Sequence, residues 1–559
     1  MAESKETITP LQRFFRLLKP DIREVRNVYF YAIFHGLIGL SLPLGIQAIV
    51  NMIQGGSVNS SWVILIVIVV MGIALSGVLQ IYQLRITEDL KQKIFSRAAF
   101  EFAYRIPRVK LEELYQKYAP ELMNRFFDIM SVQKGLAKIL IDFSTAFVQV
   151  VFGLILLSIY HPFFIAFSVI LLFLVVAIFR FTAKKGLDTS LKESKYKYEV
   201  ASWLEEVARN FITFKLAGKT DFSLKELDTR NAKYIDARES HFKVLVTQYS
   251  YLIVFKVIVA TGLLAIGGIL VMEQMMNIGQ FIAAEIIILL VINSVEKLIL
   301  SLETIYDVLT SLEKVGQVSD LKLESDEGEL ISQICTKSGM KVELSNIVFR
   351  YPEGNKNVFD GLNLEVGANE KVLLKGGTGE GKTTILKIIA GLFEVQSGSL
   401  SFNDYPIGQI SYSSLRAETG VYLLEDKPFN GTIIENVTLG REWISTDEVK
   451  AILKGLGMDE VIKKMPKGLH STLGPENDYL SKESIKKILI ARALVGSPRL
   501  VLLENILDDL AREEHDEIVE FIFGYVQGTL IIISSNELVS QKADKIYEVQ
   551  QGRLKTIKG

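Results

Sequence analysis

The chain has 559 residues, of which 49% are hydrophobic and 23% charged, with a formal net charge of −2. Apolar residues gathered in long runs indicate a membrane protein, and a net charge near zero provides no global field for nucleic acid, so we expect no nucleic-acid partner. The single cysteine, Cys335, excludes an internal disulfide, and with five scattered histidines it leaves no zinc-ligand spacing.

Residues 1–27 lack the apolar core and the small-residue cleavage site of a signal peptide. Apolar residues recur there at helical spacing, from Ile8 to Val25, with arginines between them. This pattern predicts an amphipathic helix lying in the inner membrane interface. A helix packed on a neighbouring loop is the alternative.

Residues 28–312 contain six apolar stretches long enough to cross a bilayer. They are 28–50, 61–82, 139–160, 162–183, 248–272 and 278–300. Short connections without Lys or Arg alternate with long, charged ones, and the connection 83–138 is rich in both. The positive-inside rule therefore predicts an inner (plasma) membrane protein with both termini and both long loops in the cytoplasm, where helices extend the spans.

Lys256, Glu285 and Glu296 are ionisable residues within the last two spans. At ~1.5 Å per residue, Lys256 and Glu296 lie about 28 and 31 Å from the turn between these spans, so we expect an ion pair. Glu285 lies about 15 Å from the same turn, with no basic residue level with it on the fifth span. It is a candidate for lining a polar cavity; the alternative is a protonated or hydrogen-bonded structural residue.

After a charged connector at 313–340, residues 341–559 alternate short apolar strands with amphipathic helices, which predicts an α/β domain. A strand, Lys371 to Lys375, precedes a G-x-x-x-x-G-K-T motif, and a helix, Thr383 to Ala390, follows it. Such a loop presents backbone N–H groups to phosphates. The predicted nucleotide-binding residues here are Gly376, Gly377, Thr378, Gly379, Glu380, Gly381, Lys382, Thr383 and Thr384. Lys382 would contact the β- and γ-phosphates, and the Thr383 hydroxyl would bind Mg²⁺.

The whole chain resembles a half-transporter of the ATP-binding cassette (ABC) exporter family, with some similarity to exporters of type I protein and peptide secretion. The resemblance rests on this loop and on segments such as Phe429 to Asn436 and Ile490 to Leu494. It implies a six-helix, all-α transmembrane domain followed by an α/β nucleotide-binding domain that works as a dimer. It also implies ATP and Mg²⁺ as cofactors and adenine stacking on Tyr351.

Four catalytic elements of that family are altered. Leu424 stands at the family's sensor glutamine, with Glu425 beside it; an alignment shifted by one residue would place Glu425 there. Residues 480–484 read Leu-Ser-Lys-Glu-Ser where the family has Leu-Ser-Gly-Gly-Gln, with Ser481 retained. Glu504 and Asn505 replace the Asp-Glu pair, and Ser535 replaces the switch histidine. Asn505 cannot accept a proton from water, whereas Glu504 can still bind Mg²⁺, so we expect nucleotide binding with weak or absent hydrolysis.

Two functions follow from the resemblance. The first is a transporter subunit in which ATP-driven closure of the dimer powers export, alone or with an active partner chain. The second is a non-hydrolysing scaffold or regulatory subunit of a secretion or transport assembly; a channel gated by ATP binding is a third. Expected partners are membrane lipid, a second ABC subunit and a periplasmic adaptor, and no leader-peptide processing is expected because no peptidase domain precedes the spans.

Overall fold

The computed structural model describes residues 8–55, 60–115, 118–334, 338–474 and 480–558. Cys335 lies outside these residues. The chain divides into two compact units. The first comprises Met1–Pro107 and Tyr118–Leu321, and the second comprises Arg108–Lys117 and Lys322–Gly559.

The first unit is all-α. Its helices, with α5 (Leu111–Leu114) of the second unit intervening, are α1 (Pro10–Leu18), α2 (Ile22–Gly39), α3 (Ser41–Gln54), α4 (Ser60–Arg105), α6 (Ala119–Met123), α7 (Asp128–Lys138), α8 (Ser144–Tyr160), α9 (Pro162–Arg209), α10 (Phe211–Leu216), α11 (Phe222–Gly262), α12 (Gly268–Met272) and α13 (Ile278–Ser319). Within the described residues, six helical segments are long and apolar enough to cross a membrane, which confirms the six predicted spans. Four of the helices also extend well beyond their apolar stretches, as expected.

Local sequence explains where the long helices begin and break. Helix α13 opens with a capping box, in which the Asn277 side chain accepts from the Gln280 backbone N–H at 2.7 Å. The first span is not one helix: α2 ends at Gly39 and α3 begins at Ser41, with Pro43 in its first turn. Five-residue π-helical segments interrupt the third and fifth spans at Ile139–Phe143 and Leu263–Gly267.

The amino-terminal region differs from its predicted boundaries. Helix α1 ends at Leu18, and α2 already begins at Ile22, so no boundary falls at residue 27. Leu18 is buried in an apolar cluster with Leu90 and Ile94 of α4, while Phe15 is 62% exposed. The helix therefore packs on its neighbours with part of its surface and leaves other apolar side chains uncovered, and its place in a membrane interface stays a prediction.

The predicted connector boundary is also different in the structure. Helix α13 continues seven residues beyond 312, to Ser319, because Val318 is buried and Val315 packs against the cluster that contains Leu18. The sequence at 313–319 is charged enough to look like a linker, but its apolar residues fall on one helical face. Only the residues after Ser319 connect the helix to the α/β region.

The second unit is α/β. Its strands are β1 (Val342–Phe349), β2 (Phe359–Val366), β3 (Lys371–Gly376), β4 (Ser397–Phe402), β5 (Tyr405–Pro406), β6 (Thr419–Tyr422), β7 (Gly431–Thr432), β8 (Thr472–Leu473), β9 (Leu500–Glu504), β10 (Thr529–Ile533), β11 (Lys545–Gln550) and β12 (Arg553–Lys558). Its helices after α13 are α14 (Ile331–Ile334), α15 (Lys382–Ile389), α16 (Tyr412–Ala417), α17 (Ile433–Thr438), α18 (Thr446–Gly455), α19 (Asp459–Lys463), α20 (Lys482–Leu494), α21 (His515–Tyr525) and α22 (Glu537–Lys542).

A six-stranded sheet positions the site. Its order is β12-β11-β3-β10-β9-β6, and β3, β6, β9, β10 and β11 pair in parallel. Parallel strands all point the same way, so the residues that follow β3, β6, β9 and β10 meet at one edge. The phosphate loop, Leu424, Asn505 and Ser535 are those residues.

Candidate functional site

The phosphate loop joins β3 to α15, as predicted. Gly376 and Gly381 have φ angles of 144° and 100°, which side chains rarely adopt. A Cβ on Gly376 would lie 2.5 Å from the carbonyl oxygen of Val549, so a side chain there would clash with the adjacent strand. These glycines therefore hold the curled backbone that turns N–H groups toward a phosphate.

The cationic and aromatic residues predicted for nucleotide lie against this loop. Lys382 Nζ donates to the carbonyl oxygens of Gly376 and Gly377 at 2.8 and 2.6 Å, so its ammonium group lies over the loop. The Tyr351 hydroxyl shares a hydrogen bond with Thr384 Oγ1 at 2.7 Å. The ring of Tyr351 thus lies beside the first turn of α15, close to the loop, where an adenine could stack on it.

Glu504 and Thr383 lie in contact at the carboxyl end of β9. Thr383 Oγ1 donates to Glu504 Oε1, and the Leu424 backbone N–H donates to Glu504 Oε2 at 3.0 Å. One hydroxyl and one carboxylate fit Mg²⁺, which binds through one or two carboxylates together with phosphate oxygens. Mg²⁺ held by Thr383 and Glu504 would neutralise phosphate charge; the described residues contain no cluster of three or more acidic, His or Cys ligands.

The three residues at the water-activating positions differ in how they face the site. Leu424 follows β6, its side chain is 50% exposed, and only its backbone N–H engages Glu504. Asn505 directly follows β9 and adopts a left-handed backbone with φ of 45°, a conformation that suits asparagine. Ser535 lies two residues beyond β10 and is exposed. None of the three carries a group that would take a proton from water.

The altered signature begins helix α20. Ser481 caps this helix by accepting from the Ser484 backbone N–H at 3.1 Å. Glu483 lies in its first turn and pairs with Lys487 at 2.8 Å, and Lys487 also pairs with Glu514. The Lys487 ammonium group holds the pKa of the Glu483 carboxyl below its usual value. Ion pairs therefore fix this helix start, at a position where the family has two glycines.

Two further features were not predicted from the sequence. Lys486 is buried, and its Nζ donates to the carbonyl oxygens of Asn505, at 2.9 Å, and Asp508. Burial lowers the pKa of its ammonium group. Tyr115, from the segment Arg108–Lys117, stacks on Tyr351 with ring centres 5.3 Å apart. Neither position carries a motif, and the lysine-rich start of α20 does not distinguish Lys486 from a solvent-exposed residue.

In the first unit, Lys256 Nζ lies 2.8 Å from Glu296 Oε2, which is the ion pair that the helical rise predicts. Glu285 is half-buried on α13. Within the described part of the chain it has no hydrogen bond or ion pair, so its predicted role in a polar cavity stays a prediction.

A polytopic helical membrane unit joined to a phosphate-loop α/β unit defines a membrane protein with a nucleotide-binding domain. The family profile "ABC transporter" matches residues 359–507, and "ABC transporter transmembrane region" matches residues 26–295. Together they take in most of the chain, which belongs to the ABC transporter family as an exporter-type half-transporter.

Several curated proteins are similar to parts of the chain. An uncharacterised ABC transporter ATP-binding protein, YfiB of Bacillus subtilis, is 31% identical over 43% of this chain and 42% of its own length. The cyclolysin secretion/processing ATP-binding protein CyaB of Bordetella pertussis is 24% identical over 73% of this chain and 58% of its own. An ATP-dependent lipid A-core flippase of Desulfotalea psychrophila is 24% identical over 84% and 80%.

A solved structure supports the fold. A bacterial Atm1-family ABC exporter with ATP bound superimposes with a TM-score of 0.83 at 18% identity, over 95% of this chain and 94% of that one. The match confirms the predicted exporter fold. The chain spans only about two fifths of the length of the first curated relatives it matches.

Proposed function

We propose that this chain is an exporter subunit that binds Mg-ATP, dimerises, and couples closure of the paired nucleotide-binding domains to export across the inner membrane, with weak or absent hydrolysis. The observation that carries the proposal is a complete phosphate loop facing Asn505, where the family has its catalytic glutamate. Both termini face the cytoplasm, since basic residues crowd the long loops and are missing from the short ones.

Weak hydrolysis follows from the chemistry of the three substituted positions. A general base contributes typically 10²–10⁴-fold to such a reaction, and an amide at Asn505 cannot accept the proton. Ser535 lacks an imidazole, and the Leu424 side chain offers neither a metal ligand nor a hydrogen bond to water. Binding depends on other groups, namely the loop backbone, Lys382, and Glu504 with Thr383.

The second subunit is either another copy of this chain or a related ABC chain. In a homodimer, both composite sites would combine Asn505 with the Lys482-Glu483 signature. With an intact partner, one site would have an intact signature but Asn505 and Ser535, and the other would have an intact glutamate but the Lys482-Glu483 signature. No pairing would restore a complete site. A periplasmic adaptor is a further candidate partner, and the names of the relatives point to both protein and lipid cargo.

A non-hydrolysing scaffold or regulatory subunit is the second candidate. It is favoured by the ion pairs of Lys487 with Glu483 and Glu514, which hold charged side chains at the altered signature. Glycines at that position would let the backbone approach the γ-phosphate bound by the partner subunit, and charged side chains hinder that approach. Such a subunit would use ATP only to hold an assembly together.

Steady-state phosphate release from the purified protein in lipid nanodiscs tests the proposal. ATP binding is measured on the same sample, with Lys382→Ala as the blank. Bound ATP with slow release above the blank supports the exporter. Bound ATP with no release favours the scaffold, and fast release at the rate of an intact ABC pair would contradict weak hydrolysis.

Glu285 provides a test in the membrane unit. If it lines a polar cavity for cargo, Glu285→Gln should impair nucleotide-dependent function several-fold while membrane insertion is unchanged. Glu296→Gln is the control, because it removes a carboxylate that is engaged with Lys256. A fully active Glu285→Gln protein would show that the residue is structural.

A further inference from the structure

A cavity of about 610 Å³ lies in the first unit, among the charged parts of its long helices. Its wall includes four cationic side chains from different elements: Arg125, Lys195 of α9, Arg230 of α11 and Lys314 of α13. Lys314 lies beyond the apolar stretch 278–300, in the charged half of α13. The volume is within the range of pockets that hold small molecules.

Arg125 is a buried cation without sufficient partners. Its side chain is 9% exposed, and its Nε and Nη1 atoms have no hydrogen-bond acceptor within the described residues. Its guanidinium carbon lies 3.6 Å from the centre of the Tyr198 ring, and Nη2 is 3.8 Å from Glu121. A buried guanidinium with unused donors costs free energy that an anion would recover.

Lys314 adds a second buried cation beside the first. The residue is 7% exposed, and its Nζ lies 5.2 Å from the same Tyr198 ring. In the described part of the chain no carboxylate lies within ion-pair distance of this Nζ. Burial, with Arg125 as a further cause, lowers the pKa of Lys314 to about 8, although Asp128 acts in the opposite direction. Two buried cations thus lie against the same ring: Arg125 has one long contact, with Glu121, and Lys314 has no ion pair within the described residues.

The carboxylates in and beside the cavity wall are bonded mostly to groups other than Arg125 and Lys314; Glu121, which also lies 3.8 Å from Arg125, is the exception. Glu121 accepts from Ser202 Oγ at 3.3 Å, and Glu206 pairs with Arg209 and accepts from Asn210 at 2.7 Å. Glu199 lies 4.0 Å from Lys195. Asp128 accepts the hydroxyl hydrogen of Tyr198. The innermost cations, Arg125 and Lys314, therefore face the cavity with little compensation.

We propose that this cavity binds a phosphate-bearing small molecule, with Arg125 and Lys314 as the cations that anchor its phosphate. Guanidinium and ammonium groups together suit a multiply charged oxyanion, and arginine suits its geometry. The cavity is larger than a phosphate ion, and Trp203 offers an aromatic surface to the rest of the ligand. A bound anion would link the segment just before α7, which carries Arg125, to α13, which carries Lys314, so occupancy would stabilise this region.

The test measures binding of radiolabelled pyrophosphate to the full chain in phosphatidylcholine nanodiscs by equilibrium dialysis. All samples carry Lys382→Ala, which weakens the phosphate loop as a competing site. We expect saturable binding that falls at least tenfold in Lys314→Met. Lys192→Met, which removes an exposed lysine of α9 outside the cavity, is the matched control and should bind as before.

Folding is checked on the same samples by thermal denaturation. Lys314→Met removes a like charge beside Arg125, so its Tm should not fall. Absence of pyrophosphate binding, or binding unchanged by Lys314→Met, would overturn the proposal. If unlabelled ATP competes with pyrophosphate, the ligand of the cavity is a soluble organic phosphate. If pyrophosphate binding is lost in nanodiscs that contain phosphatidylglycerol, the ligand is a lipid headgroup. Both results support the site.

Discussion

Two regions meet at the carboxyl edge of the six-stranded sheet, and they differ in what their residues can do. The loop between β3 and α15 has every residue that the phosphate-binding motif requires, from Gly376 to Thr383. The positions after β6, β9 and β10 carry Leu424, Asn505 and Ser535, none of which can take a proton from water. Binding and hydrolysis of a nucleotide thus depend on separate residues of one fold, and they can change independently.

The two regions also differ in which part of the chain acts. The phosphate loop works mainly through its backbone, whose shape depends on glycines such as Gly376 and Gly381. The water-activating positions, Leu424, Asn505 and Ser535, act through their side chains. The sheet holds their backbone in place whichever side chains they carry. Substitutions there leave the fold intact, because β9 and β10 keep their parallel pairing.

The largest effect is expected from restoring a base. Asn505→Glu combined with Ser535→His should raise phosphate release by about 100-fold, the lower end for a general base, since a left-handed backbone at residue 505 disfavours glutamate. Phosphate release in nanodiscs measures the change. Asn505→Gln with Ser535→His is the matched control, because glutamine has the same length and the same backbone strain but no basic group. Equal rates in the two variants would favour the scaffold.

The second effect tests the phosphate loop. Lys382→Ala should weaken ATP binding by about 50-fold, because a hydrogen bond to a charged group contributes about 1.5–3 kcal/mol and Lys382 would donate to the phosphates. Equilibrium binding of labelled ATP measures it, with Lys375→Ala on β3 as the control. Unchanged binding in Lys382→Ala would refute the loop as the nucleotide site.

A smaller effect is expected at the base of the nucleotide. Tyr351→Ala should weaken ATP about tenfold, since an aromatic stacking pair contributes about 0.5–1.5 kcal/mol, while inorganic triphosphate should bind as before. Tyr351→Phe keeps the ring and loses only the hydrogen bond to Thr384, so it should bind nearly normally. Equal losses for ATP and triphosphate would show that Tyr351 supports the loop and does not stack on adenine.

The smallest effect concerns Mg²⁺. Thr383→Val removes one hydroxyl that would bind the metal. The factor by which Mg²⁺ strengthens ATP binding should therefore be several-fold smaller than in the unaltered chain, a difference of about 1 kcal/mol. ATP titrations with and without Mg²⁺ measure the difference. The exposed Thr446→Val serves as the control. An undiminished response to Mg²⁺ in Thr383→Val would place the metal elsewhere.

The parts of this structure that could be predicted from sequence are those with a local physical cause. About 20 apolar residues predict a membrane span wherever they occur, and a glycine-rich loop between strand and helix predicts a phosphate site. The Lys256–Glu296 pair followed from helical rise alone. The start of α2 at Ile22 and the extension of α13 to Ser319 go with packing partners far along the chain, so local patterns misplaced the boundaries at residues 27 and 312.

The same distinction holds within the site. Motif positions gave Lys382, Thr383 and Glu504, whereas the buried Lys486 and the stacking of Tyr115 on Tyr351 required three-dimensional contacts. Charge also misleads at single positions: Lys486 has the appearance of a solvent-exposed helix residue, yet it anchors the backbone at Asn505 and Asp508.

The early position of the segment Arg108–Lys117 in the chain has a consequence for folding during synthesis. It belongs to the second unit, and Lys110 pairs there with Glu394, which the ribosome adds 284 residues later. Leu111 and Tyr115 likewise pack on a core whose strands begin at Val342. The nucleotide-binding unit therefore cannot complete its folding from its carboxyl-terminal residues alone. The segment Arg108–Lys117 is synthesised first, and its apolar side chains stay uncovered until the residues they pack on have been synthesised.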